Sequence, residues 1–282
     1  MESLIRRRLV SNEELISLLA KFGTEPAIFY QKAPDDTDAQ ESFYPQVILT
    51  ADKYSDAQKG VAGILTVDVI TSQMTTPPEP LEKLIRESLE GVFFRGEEIF
   101  SLKWSRTDVF TEPASERVPL IFGATLTFEI YEYPEVETST PDPIEGMNYW
   151  ASCFDENLMI IGVSEFEEFY VPTREKPAIY FDVATMKLTE LKSAAAFLDV
   201  VINVHLFAPT VKARREWLAM IHQELLLVKG IILSDESPMR LQTSEYNWSA
   251  SETDGQIKLR YNYGIMRRAR YAHTVDKVKM EE

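Results

Sequence analysis

The sequence predicts an α+β fold: two tandem copies of a mainly antiparallel β-sheet packed on α-helices, each with its elements in the order α-β-β-α-β-β. Three observations predict it. The stretch Pro45 to Tyr133 returns in diverged form as Pro177 to Arg268. Its strand segments alternate apolar and polar residues, as half-buried strands do. Its helical segments carry a single apolar stripe each. The copies open with Pro45-Gln46-Val47-Ile48-Leu49 and Pro177-Ala178-Ile179-Tyr180-Phe181, 132 residues apart, and later blocks repeat at a spacing of 137. Identity between the copies is low; what recurs is the order of elements and the apolar side of each strand.

In chain order, Ser11-Asn12-Glu13-Glu14 has the form of a capping box, followed by Leu15, Leu18, Leu19 and Phe22 at helical spacing. A helix is therefore expected from Ser11 to Phe22, stopped by Gly23. A short apolar segment, Ala27 to Tyr30, leads to a polar, acidic loop from Ala33 to Asp38. Strands are expected at Gln46 to Thr50 and about Val61 to Ile70. In the second of these Leu65, Val67 and Val69 face one way and Thr66 and Asp68 the other, so the sheet has one wet face. Thr75 to Pro80 opens a helix with proline in its first turn, striped by Leu81, Leu84, Ile85 and Leu89 and ended by Gly91. Two further strands, Ile99 to Phe110 and Leu120 to Tyr133, are joined by the loop Glu112 to Glu116. In the second half no helix is evident from Trp150 to Val171. Strands follow at Ala178 to Asp182 and near Ala196 to Phe207, then a helix capped by Thr210 and ended at Gly230, then strands near Met239 to Ser249 and Gln256 to Met266.

The domain organisation expected is 1–134, an acidic, proline-bearing exposed linker at 135–145, and a second domain at 146–282. The formal charge of −16 is uneven: residues 1–145 hold 13 Lys/Arg against 26 Asp/Glu, and residues 146–282 hold 16 against 19. Broad neutralisation of phosphates is therefore not expected, although an acidic wall lets DNA pass without being held. Cys153 is the only cysteine, so no internal disulfide is expected, and the fold should suit a reducing compartment. The first residues lack the apolar core of a signal peptide, and no apolar run of about 18 residues marks a membrane span.

Candidate chemistry is sparse. His205 falls on the outward side of its strand by parity, His222 lies on a helix, and His273 lies near the chain end; none has metal-ligand spacing, and Cys153 has no C-x-x-C partner. No nucleophile elbow, P-loop or dinucleotide fingerprint occurs, so no catalytic residue, cofactor or metal site is assigned. Two basic clusters, Arg6-Arg7-Arg8 and Arg267-Arg268-Ala269-Arg270, are the candidate partner contacts, for an acidic surface or a nucleic acid backbone. Trp104 and Trp248 are expected in the core or at subunit contacts.

With this order of elements in hand, the first half resembles the tail terminator, or tail completion, family of long-tailed bacteriophages. The likeness rests on the N-terminal helix, on Pro45 to Leu49, Leu65-Thr66-Val67-Asp68-Val69 and Leu81-Glu82-Lys83-Leu84-Ile85, and on Ala124 to Ile130. It covers about residues 10–133, with an echo over 177–268. It implies a non-enzymatic virion protein forming a hexameric ring on the tail tube, ending tube growth and offering a face to the head. The implied partners are further copies of itself, the tail tube protein, a head-completion or connector protein, and DNA crossing the lumen. The double length leaves two stoichiometries open: six copies, or three copies giving six pseudo-equivalent domains. The alternatives are another neck component, such as a head-to-tail connector, a tail tube protein, or an enzyme or small-ligand protein with a cleft between the repeats.

Overall fold

A computed structural model describes residues 1–33, 43–56, 60–73, 75–113, 120–135, 137–228 and 230–267. The loop read at Ala33 to Asp38 lies outside them from residue 34 on, as does the loop read at Glu112 to Glu116 from residue 114 on. The content is mixed, with five helices and two large sheets among the described residues.

The chain opens with α1 (Glu2–Val10) and α2 (Glu13–Leu18), where one helix from Ser11 to Phe22 was expected. Ser11 sits at the C-terminal cap of α1 and its hydroxyl donates to the Arg8 carbonyl at 2.7 Å. The capping role therefore passes to Asn12, whose Oδ1 accepts from the Leu15 N–H at 3.1 Å. Lys21 and Phe22, read as helix, form β1 (Lys21–Phe22), paired with β2 (Glu25–Pro26).

The first large sheet is built from β3 (Ile28–Tyr30), β4 (Gln46–Asp56), β5 (Val61–Ser72), β6 (Phe93–Arg95), β7 (Ile99–Glu112) and β8 (Ile121–Glu132), with α3 (Pro78–Leu89) between β5 and β6. A seventh strand, β10 (Phe169–Tyr170), comes from much later in the chain, after β9 (Met159–Ile160). The order is β10-β6-β7-β8-β5-β4-β3, antiparallel except for β3 beside β4. Alternate residues of β5 are buried, as its sequence demands. α3 starts with Pro78 in its first turn, and the chain turns away at Gly91, where φ is +72°.

α1, α2 and α3 lay their apolar stripes on this sheet. Ile5, Leu9, Leu15, Leu81 and Ile85 meet Leu65, Val67, Leu126 and Phe128 in one cluster. Burying each such side chain contributes about 1.5 to 3 kcal/mol, so this layer is the main source of cohesion. A smaller cluster joins Phe93, Tyr133, Ile161, Ala178 and Phe207, with the Phe93 and Phe207 rings 4.9 Å apart, edge to face.

The second sheet takes β9 with β11 (Ala178–Leu191), β12 (Ala195–Phe207), β13 (Ile231–Ile232), β14 (Pro238–Tyr246) and β15 (Ile257–Met266), in the order β13-β14-β15-β12-β11-β9. β9 runs parallel to β11. α4 (Pro143–Phe154), not foreseen, begins inside the stretch read as an exposed linker. Asp142 caps it, accepting from the Ile144 N–H at 3.1 Å, and Pro141 and Pro143 are buried. α5 (Val211–Leu227) is capped by Thr210 as expected, the Ala213 N–H donating to its Oγ1 at 3.2 Å. Leu218, Ile221 and Leu225 form its buried side.

By compactness the chain forms two units, one of residues 1–136, 157–180 and 206–215, the other of residues 137–156, 181–205 and the described residues from 216 on. Among the described residues no helix is long and apolar enough to cross a membrane.

Candidate functional site

A polar cluster lies where β11 and β12 run side by side. Asp182 on β11 accepts at Oδ2 from the Asn203 amide at 3.3 Å, and its Oδ1 lies 2.6 Å from His205 Nε2. His205 Nδ1 lies 2.7 Å from the carbonyl of Glu252, in the loop between β14 and β15. A carbonyl can only accept, so Nδ1 carries the proton of that bond. Strand parity placed His205 outward, but the residue is 8% exposed. Parity gives the side of the sheet and cannot foresee the Glu252 loop that covers it. Both ring nitrogens are engaged by the protein, which suits pinning a loop better than exchanging protons with a substrate.

His222 on α5 meets the Ser244 hydroxyl at 2.7 Å and faces the Tyr246 ring at 5.5 Å; burial lowers its pKa from the ordinary value. Cys153 is exposed on α4, and His273 lies outside the described residues. Among the described residues no group of three or more His, Cys, Asp or Glu side chains could hold a metal ion.

The first basic cluster is occupied within the fold. Arg6 donates to the Ile28 carbonyl at 3.5 Å and pairs with Glu25 at 3.4 Å. Arg7 pairs with Glu168. Arg8 donates from Nε to the Ser88 carbonyl at 3.0 Å and lies over the Phe169 ring. Arg7 and Arg8 fasten the 168–169 stretch, so β10 is held against β6 by two cations from α1. β10 is only the pair Phe169 and Tyr170, too short to show a strand period, and so it reads as loop in the sequence. In the second cluster Arg267 donates to the Lys192 carbonyl at 3.2 Å, while Arg268 and Arg270 lie outside the described residues.

Trp104 is half-buried beneath Arg86, 4.8 Å from the guanidinium to the ring centre, and Trp248 is 55% exposed beside Tyr246. Exposed apolar side chains gather on strand ends and on α5: Val109 at 76%, Leu191 at 59%, Met266 at 68% and Leu227 at 70%. Among the described residues no strand lies outside β11 from Phe181 to Leu191, or outside β13. Open edges of this kind are templates for pairing.

No protein-family model matches the chain, and no curated protein matches it.

Proposed function

We propose that this protein is a non-enzymatic assembly protein, a ring-forming terminator of a bacteriophage tail that ends tube growth and presents a docking face for the head. The observation that carries an assembly role is the match between the two sheets. Written from their parallel edge, the orders are β3-β4-β5-β8-β7-β6, with β10 beyond β6, and β9-β11-β12-β15-β14-β13. In each, a helix follows the third strand of the sequence, α3 in one and α5 in the other. In this reading the chain is two tandem α+β copies, each with a helix ahead of its long strands. Chains with two like units and open strand edges can close a ring from three copies that present six pseudo-equivalent sheets. The net charge of −16 suits a lumen through which DNA slides.

The partners in this role are further copies of the chain, the tail tube protein, a head-completion or connector protein, and passing DNA. The assembled location is the neck of the virion. Native mass measurement and averaged electron images test it. The expected result is a closed ring with three-fold or six-fold symmetry that binds the end of a tube. Twelve-fold particles would point to a connector, growth into long tubes to a tube protein, and a strict monomer would remove the assembly role.

A further inference from the structure

The first sheet ends on one side in β10, which pairs with β6 through two residues only, Phe169 opposite Phe94 and Tyr170 opposite Phe93. The Arg95 N–H adds a bond to the Glu168 carbonyl at 2.9 Å. Donors alternate in direction along a strand, so the Phe93 N–H also faces β10. Phe166, Phe169 and Tyr170 are half-buried and sit at the margins of two apolar clusters. The short strand at the opposite edge is held differently: in β3, Ile28 is 4% exposed and lies within the main cluster. Apolar burial therefore fixes β3 firmly and β10 weakly.

Charge supplies what burial does not. Three arginines, two from α1 and one from β6, meet a stretch that carries Glu165, Glu167 and Glu168. Arg7 pairs with Glu168, and the two side chains are 52% and 43% exposed. Arg8 lies over the Phe169 ring. Arg95 donates to the Phe166 carbonyl at 2.8 Å, and its guanidinium lies 6.0 Å from the centre of the Phe166 ring. Charges exposed to this degree are screened by salt, since the Debye length falls from about 30 Å at 0.01 M to about 3 Å at 1 M.

The stretch is also tied at both ends independently of β6. The Ile161 N–H donates to the Ile179 carbonyl at 2.9 Å, and Ala178 opens β11 beside Met159 of β9. Residues 162–177 can thus leave β6 with β9 and β11 in place. Segments with few buried apolar contacts open at a lower free energy than the core around them. We propose that β10 is a salt-sensitive strap, a short strand that Arg7, Arg8 and Arg95 hold over the edge of β6 and that lifts away while the rest of the unit stays folded. Closed, it occupies donors that a bare edge presents to neighbouring chains. The strap goes beyond the assembly role proposed above and does not rest on it.

Native-state amide exchange of the full chain, in about 0.01 M and about 1 M salt, tests the strap. The Phe93 and Arg95 amides are expected to exchange about fivefold faster at the higher salt, the size of one exposed ion pair, while the amides of β5 and β8 keep their rates. Arg7→Glu should bring the faster exchange to low salt, and Glu168→Arg added to it should restore the slower one. Exchange at Phe93 and Arg95 as slow as that of β5 at both salts would show that β10 leaves only with global unfolding, and would overturn the strap. Fast exchange indifferent to salt and to Arg7→Glu would overturn it as well, because charge would then not be what holds β10.

Discussion

The guanidinium carbon of Arg8 lies 5.2 Å from the centre of the Phe169 ring, joining residues 161 positions apart in the chain. The same side chain donates to the Ser88 carbonyl, and burial lowers its pKa from the ordinary value. Arg8 therefore ties α1 to α3 and to β10 at once. Arg8→Ala removes a cation–π contact and a charged hydrogen bond, an expected loss of about 1 to 2 kcal/mol. The urea midpoint should fall, and amide exchange at Phe169 and Tyr170 should speed up. Unchanged exchange there would show that β10 holds without Arg8.

His205 and Asp182 are expected to be coupled. Removing the carboxylate leaves one ring nitrogen of a buried histidine without its acceptor, a loss of about 1 to 3 kcal/mol for Asp182→Ala. His205→Ala should cost a similar amount and free the Glu252 loop. The double variant should lose less than the two singles added, which a double-mutant cycle in urea measures. Strict additivity would mean the pair does not act as a unit.

Long, strongly patterned elements were legible in the sequence. β5, α3 and β8 follow alternation or a single stripe closely enough that their ends fall within two residues of expectation. Short elements were not, because two or three residues carry no period: β10 and β13 exist through their partners alone. α4 was hidden by composition, since Glu135 to Glu145 reads as acidic spacer although Asp142 and Pro143 form a cap and first turn. Arg6, Arg7 and Arg8 were legible as a basic run, but their partners Glu25, Ser88, Glu168 and Phe169 are brought to them by the fold. His205 was legible by side and not by burial, for the same reason.

Gly146 lets α4 approach β13. A Cβ built there would lie 2.7 Å from Leu233 Cδ2 and 3.3 Å from Ile231 Cγ2. Gly146→Val should therefore push against both side chains and destabilise by about 1 to 3 kcal/mol, more than the gain in helix propensity offsets. Thermal unfolding checks this, and an unchanged midpoint would show that Leu233 swings aside freely.

Tyr261 is 1% exposed, and no described group hydrogen-bonds its hydroxyl. Burial accordingly raises its pKa above the usual phenol value. Tyr261→Phe removes a polar atom that has lost its water without gaining a partner. The expected change is from neutral to about 1 kcal/mol of added stability, read from the urea midpoint. A clear loss of stability would reveal an acceptor for that hydroxyl.

His222 should make stability depend on pH in a definite direction. Burial lowers its pKa in the folded chain below the ordinary value of 6.5. Between the folded and unfolded values the unfolded chain binds more protons, so stability rises with pH there. The contribution is complete above 6.5 and is lost as pH falls through the folded value. Most carboxylates titrate lower, so a series from roughly pH 8 to 5.5 separates histidine titration from theirs, and the variant singles out His222. His222→Gln should flatten the fall in urea midpoint across that window while the parent chain declines. Parallel slopes for the two proteins would show that the ring takes up its proton in the folded state without penalty.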